Sequence, residues 1–148
     1  MTFKKKVFDR CVALLEEKIS SLENILHELE EGSENDSKSS AGDKHETARA
    51  MMQIEQEKIS RQLAEAIAQK VVLEKQGYAP TKEIGAGSLI DTNNGFLYLG
   101  SAPAKIVIEE KSIAVLSVLS PLGKKLLGLK AGEKTEMNGV IYIIESVQ

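Results

Sequence analysis

The chain has a single cysteine, Cys11, no tryptophan and only two histidines, His27 and His45. One cysteine excludes an internal disulfide and fits a reducing compartment. Cys11 falls on an apolar helical stripe and reads as a small core residue. Neither histidine has a Cys or His partner at metal spacing, which argues against zinc, and His27 reads as a solvated helix residue. No apolar run approaches the roughly 20 residues of a membrane span. The basic start, Lys4-Lys5-Lys6, runs into Asp9, Arg10 and Glu16 rather than a signal-peptide core. The expectation is therefore a cytoplasmic protein with no membrane association. A net charge of −3 lacks the basic excess of a sequence-independent DNA binder, so free DNA binding should be weak or absent. No Ser/His/Asp arrangement for nucleophilic catalysis can be read, although serines are plentiful near residues 33–40.

Proline is scarce as well, and none lies within residues 4–31 or 44–76. Both stretches are patterned as helices. In the first, Phe8, Val12, Leu15, Ile19, Leu22, Leu26 and Leu29 recur at alternating spacings of four and three, a heptad seam of the coiled-coil kind. In the second, Ala48, Met52, Ile59, Leu63, Ala66 and Leu73 form a looser stripe flanked by Glu55, Lys58, Arg61 and Glu65. Between them, residues 32–42 are small and polar, and read as a loop. Two helices joined there make an antiparallel hairpin. The second would extend roughly 48 Å at about 1.5 Å per residue, longer than a small domain needs to cover a core, so its excess is expected to project.

Gly77 suits the C′ position of a helix and Pro80 follows as a stop signal. The pattern then alternates. Strands are predicted over residues 88–91, 96–99, 105–109, 113–118, 134–137 and 140–147, with turns at Asn93-Asn94-Gly95 and at Asn138-Gly139, the latter a type I′ signal. Ser120-Pro121 reads as an N-cap with proline at N1, opening a short helix through Leu127. Gly85-Ala86-Gly87 lacks the strand–turn–helix setting of a phosphate loop and reads as a turn. The fold expected is α+β. A two-helix coiled-coil hairpin over 1–77, with its tip at 32–47, precedes a small sheet domain with one short helix over 78–148.

The residues that carry chemistry sit at the hairpin tip, Gly42-Asp43-Lys44-His45-Glu46. Asp at N-cap with Glu at N3 is an acidic capping box, which satisfies free backbone donors at a helix start. Carboxylates three positions apart on a helix also share one face. Such a pair suits a divalent cation, because Mg²⁺ sites often take one or two protein carboxylates and complete the octahedron with water and phosphate. The two roles are compatible.

Gly42-Asp43-x-x-Glu46-x-Ala48 resembles the Gly-Asp-Leu-Ser-Glu-Asn-Ala tip of the Gre-type bacterial transcript cleavage factors, the GreA/GreB family. The run from Ser120 to Glu133 is similar to that family's Ser-Pro-(apolar)-x-x-x-Leu-(apolar)-Gly-x-x-x-Gly-(acidic) signature, and residues 140–147 are similar to its closing strand. The resemblance covers nearly the whole chain. It implies that the second domain has the FK506-binding-protein-like (FKBP-like) fold. It implies a transcription elongation factor whose partner is RNA polymerase and whose coiled coil enters the secondary channel. The chain would then be no enzyme itself, but would stimulate the polymerase to cleave backtracked RNA, touching the RNA 3′ end only inside that complex. Asp43 and Glu46 would be its catalytic acids, holding Mg²⁺ shared with the polymerase, with no tightly bound cofactor. Ser120, Pro121 and Lys124 would belong to the docking surface.

The tip departs from the family pattern: Lys44-His45 replaces Leu-Ser and Thr47 replaces Asn. These changes bear on cleavage more than on polymerase binding. Two alternatives stand beside the first reading. One is a secondary-channel regulator that does not promote cleavage, and the other is a coiled-coil assembly protein that dimerises through the Phe8–Leu29 seam.

Overall fold

The computed structural model describes the backbone of residues 2–38 and 42–148 and the side chains of residues 2–32 and 46–148. Two long helices, α1 (Phe3–Lys38) and α2 (Gly42–Gln76), precede six strands and one short helix. The strands are β1 (Leu89–Thr92), β2 (Gly95–Gly100), β3 (Ala104–Ile108), β4 (Lys111–Ser117), β5 (Lys134–Met137) and β6 (Val140–Val147), with α3 (Pro121–Leu126) between β4 and β5. This is the α+β arrangement the sequence predicts. The chain divides into two compact units, Leu14–Ala68 and Met1–Ala13 with Gln69–Gln148, so the first turns of α1 and the last of α2 belong to the sheet's unit.

In the hairpin unit Leu22, Ile59 and Ala66 form a buried core, with Ile19, Leu26, Leu29 and Leu63 packed against it. Gly32, farther along α1, faces Met52, an earlier residue of α2: a Cβ on Gly32 would come within 2.8 Å of the Met52 Cε. Later positions of α1 therefore meet earlier positions of α2, and the helices run antiparallel. The seam from Ile19 to Leu29 is filled by α2 of the same chain.

Two expectations for this unit are corrected. The stretch read as a loop from residue 32 is helical through Lys38, and residues 39–41 lie outside the described residues. Its polar residues each cost a helix only a few tenths of a kcal/mol relative to alanine, and none is proline. Gly32 costs about 1 kcal/mol by propensity, yet its missing Cβ leaves room for Met52. Ala48, read as part of the α2 stripe, is exposed. The buried stripe therefore starts farther into α2, at Met52, which is half-buried.

The sheet has strand order β3-β4-β2-β1-β6-β5. Every neighbouring pair is antiparallel except β2–β4, which is parallel in the register Phe96↔Ile113 to Gly100↔Ser117. The exception follows from connectivity: β3 and β4 form a tight hairpin, and the returning strand β4 slots between β3 and β2. Side chains alternate across the sheet. On one face Ile90, Leu97, Leu99 and Ile144 form a core with Ile84 and with Leu126 of α3. On the other face the paired positions Leu89, Tyr98, Ile113 and Val115 are also buried.

The base of α1 serves this second face. Lys4, Val7 and Cys11 are buried at spacings of three and four, and the Phe3 and Phe96 ring centroids lie 5.3 Å apart. Cys11 is a core residue, as the pattern predicts. Burial pushes its thiol up to about 11 and also raises the neighbouring Tyr98 phenol. Phe8, assigned to the heptad seam, instead sets its ring 5.4 Å from Tyr78, just past α2. The seam thus changes partners along α1, because the first turns meet the sheet as well as α2.

Candidate functional site

Two groups of residues carry the functional reading, and they fall in different units. The first is the start of α2. Because the helix opens at Gly42, Asp43 and Glu46 are both helical residues, three positions apart in its first two turns. Asp43 therefore stands inside the helix and not at the N-cap of the expected capping box. Glu46 is exposed, whereas the side chains of Asp43, Lys44 and His45 lie outside the described residues. No group of three or more His, Cys, Asp or Glu among the described residues is placed to hold a metal ion. His27, in α1, is exposed with its Nε2 3.1 Å from the Glu31 carboxylate, an ordinary i,i+4 surface pair.

The second group surrounds the start of α3. Ser120 is the N-cap, with extended φ and ψ of −67° and 155°. Its Oγ accepts the Gly123 N–H at 3.1 Å and donates to the Ser117 carbonyl at 2.6 Å. Pro121 occupies the first helical position, where its missing N–H costs nothing and its φ is already suitable. Gly123 is buried against the preceding turn, and a Cβ there would sit 2.2 Å from the Ser117 carbonyl oxygen. Only glycine allows the helix to begin this close to the end of β4.

That tight corner pushes neighbouring groups outward. Leu119 is 76% exposed, the highest value among the large apolar side chains of the described residues. Pro121 and Lys124 are exposed beside it in sequence. Lys125 is committed elsewhere, donating to the Glu136 carbonyl at 2.7 Å. Sequence reasoning picked out Ser120, Pro121 and Lys124 but missed Leu119 and the role of Gly123. A leucine that closes an apolar stretch before a helix cap carries no sign of exposure, and contact between Gly123 and Ser117 exists only in the folded turn.

A further outlier is the β3–β4 hairpin turn. It is built from Glu109 and Glu110, both at positive φ (52° and 68°), where Asn138 and Gly139 make the equivalent turn between β5 and β6. The Lys6 ammonium pairs with the Glu109 carboxylate and holds it below the usual carboxylate range. Compared with known proteins, the chain matches no family model and no curated protein sequence.

Proposed function

We propose that this chain is a bacterial transcription elongation factor of the GreA/GreB type. It would bind RNA polymerase, insert its helical hairpin into the secondary channel and stimulate cleavage of backtracked RNA. The observation that carries the reading is the closed seam: Leu22, Ile59 and Ala66 satisfy the heptad pattern within one chain. That seam therefore needs no second copy, although Ile25, Met51, Ile54 and Ile67 stay exposed on the two helices. This leaves a hairpin whose second helix opens on two acids, as the motif at Gly42–Ala48 requires. The assembly reading loses support for the same reason, since its dimer seam is already occupied.

Asp43 and Glu46 are hard oxygen donors and suit magnesium, but two carboxylates supply only part of a shell of about six ligands. The remaining ligands would come from water and from the polymerase. A divalent ion held this way activates water and offsets charge at a phosphodiester. The part of this chain is narrower: its acids supply and orient ligands, and its second unit docks. The exposed Leu119, Pro121 and Lys124 offer an apolar contact beside a cation for that docking.

The regulator that binds but does not cleave is favoured by one observation, the replacement of Leu-Ser by Lys44-His45 and of Asn by Thr47. A single experiment separates the two. The full chain is added to a backtracked complex of bacterial RNA polymerase, and binding and RNA shortening are both measured. Stimulated cleavage is expected, and Asp43→Asn with Glu46→Gln should abolish it while leaving binding intact. Lys124→Glu should weaken binding without loss of fold. Binding without cleavage by the unaltered chain would select the regulator, and absence of binding would remove both readings.

A further inference from the structure

Beside the start of α1 lies a cleft of about 790 Å³, within the roughly 300–1,000 Å³ typical of small-molecule sites. Tyr78, Ala79, Pro80 and Val147 form much of its wall, and Lys4 and Lys5 also line it. All belong to the sheet-bearing unit.

Lys4 is the unusual member, only 3% exposed. Its ammonium donates one hydrogen bond, 2.7 Å long, to the Ala79 carbonyl. No carboxylate lies within ion-pair distance of it among the described residues, and burial lowers its pKa. An ammonium has three donors, so two remain to be satisfied. Buried charges are ordinarily paired. The adjacent Lys5 differs: it is 2.9 Å from the Asp9 carboxylate and lies over the Tyr78 ring. An anion would answer Lys4, and an apolar body would cover the cleft walls.

We propose that this cleft binds a small organic carboxylate with an apolar body, its carboxylate paired with Lys4. The inference is independent of polymerase binding and concerns a different surface from Leu119–Lys124. The alternative role for Lys4 is purely structural, tying the chain that follows α2 to the first turn of α1. A structural lysine would show no preference for an anionic ligand.

The test is an NMR titration of the full, isotope-labelled chain with octanoate, 1-octanol, octylamine and inorganic phosphate. Octanoate should shift the amides of Thr2 and of Gln76 to Ala79 and bind at least tenfold more tightly than 1-octanol or octylamine. Phosphate should bind at least tenfold more weakly than octanoate. Lys4→Met should reduce octanoate affinity tenfold or more, and Lys4→Arg should retain it. Ala79→Trp, at an exposed position on the rim, should block the cleft even if Lys4→Met fails to fold. Equal binding of octanoate and 1-octanol, phosphate binding as tight as octanoate, or affinity unchanged in folded Lys4→Met or Ala79→Trp would overturn the proposal. So would the absence of octanoate-induced shifts at these amides.

Discussion

Among the described residues of the hairpin unit four side chains, Leu15, Leu22, Ile59 and Ala66, are buried, whereas one face of the sheet alone encloses six, from Ile84 to Ile144. The opposite sheet face buries Leu89, Tyr98, Ile113 and Val115 as well. A two-helix seam has partners on one side only, so many of its members stay half-exposed. A sheet covered on both faces gives each central residue neighbours in every direction. The hairpin unit therefore gains little from enclosure, while the sheet unit is an anchor whose stability comes from it. Function under this reading is divided in the same way, with chemistry at the start of α2 and docking at α3.

The strongest challenge to that division is the acid pair. Asp43→Asn with Glu46→Gln is expected to reduce stimulated RNA cleavage to the level of polymerase alone, with the melting temperature of the free protein unchanged. A large fall in melting temperature would make the acids structural and break the comparison. Next come the cores. Leu99→Ala should cost about 4 kcal/mol in urea unfolding and Leu22→Ala about 2 kcal/mol, because the sheet site leaves an enclosed cavity and the seam can partly relax. Equal costs would show that the hairpin is packed as tightly as the anchor.

Cys11 supplies a smaller, kinetic contrast within the anchor. Its folded pKa of about 11 against an ordinary 9.0 means about a hundredfold less thiolate near neutral pH. Alkylation should therefore be slower by at least that factor in the folded chain than in urea. The sign for stability follows from linkage: the raised pKa contributes fully below about pH 9, and the contribution is lost as pH rises toward 11. Cys11→Ser should flatten that alkaline decline.

The smallest expected effect is a gain. Glu110→Gly relieves a non-glycine residue at φ 68° and should stabilise the anchor by about 1 kcal/mol, leaving the Lys6–Glu109 pair in place. A loss on thermal unfolding would mean that Glu110 makes a contribution larger than its backbone strain.

Much of this arrangement is legible along the chain, for local reasons. The heptad spacing, the proline-free stretches, Gly77 at the end of α2, the Ser120-Pro121 cap and the Asn138-Gly139 turn each act through residues within a few positions of one another. The predicted strands agree with the observed ones to within about two residues at each end. What could not be read depends on distant partners. The Glu109-Glu110 turn carries no turn signature, and its pairing with Lys6 joins residues 103 positions apart. Gly32 looks like a loop residue until Met52 is set against it. Leu119 looks like an ordinary apolar residue until the corner at Gly123 turns it outward.

The amino-acid order alone thus determined the number and type of elements, the Ser120 cap of α3 and the placement of the two acids near the start of α2, because periodicity and capping are short-range. Only the tertiary structure decided which face of α1 meets the sheet, why β2 and β4 run parallel, and that Lys4 is enclosed with no acid beside it among the described residues. These are outcomes of packing. A lysine on a helix is solvated by default, and it becomes a buried cation only when the end of α2 and the chain after it close over it.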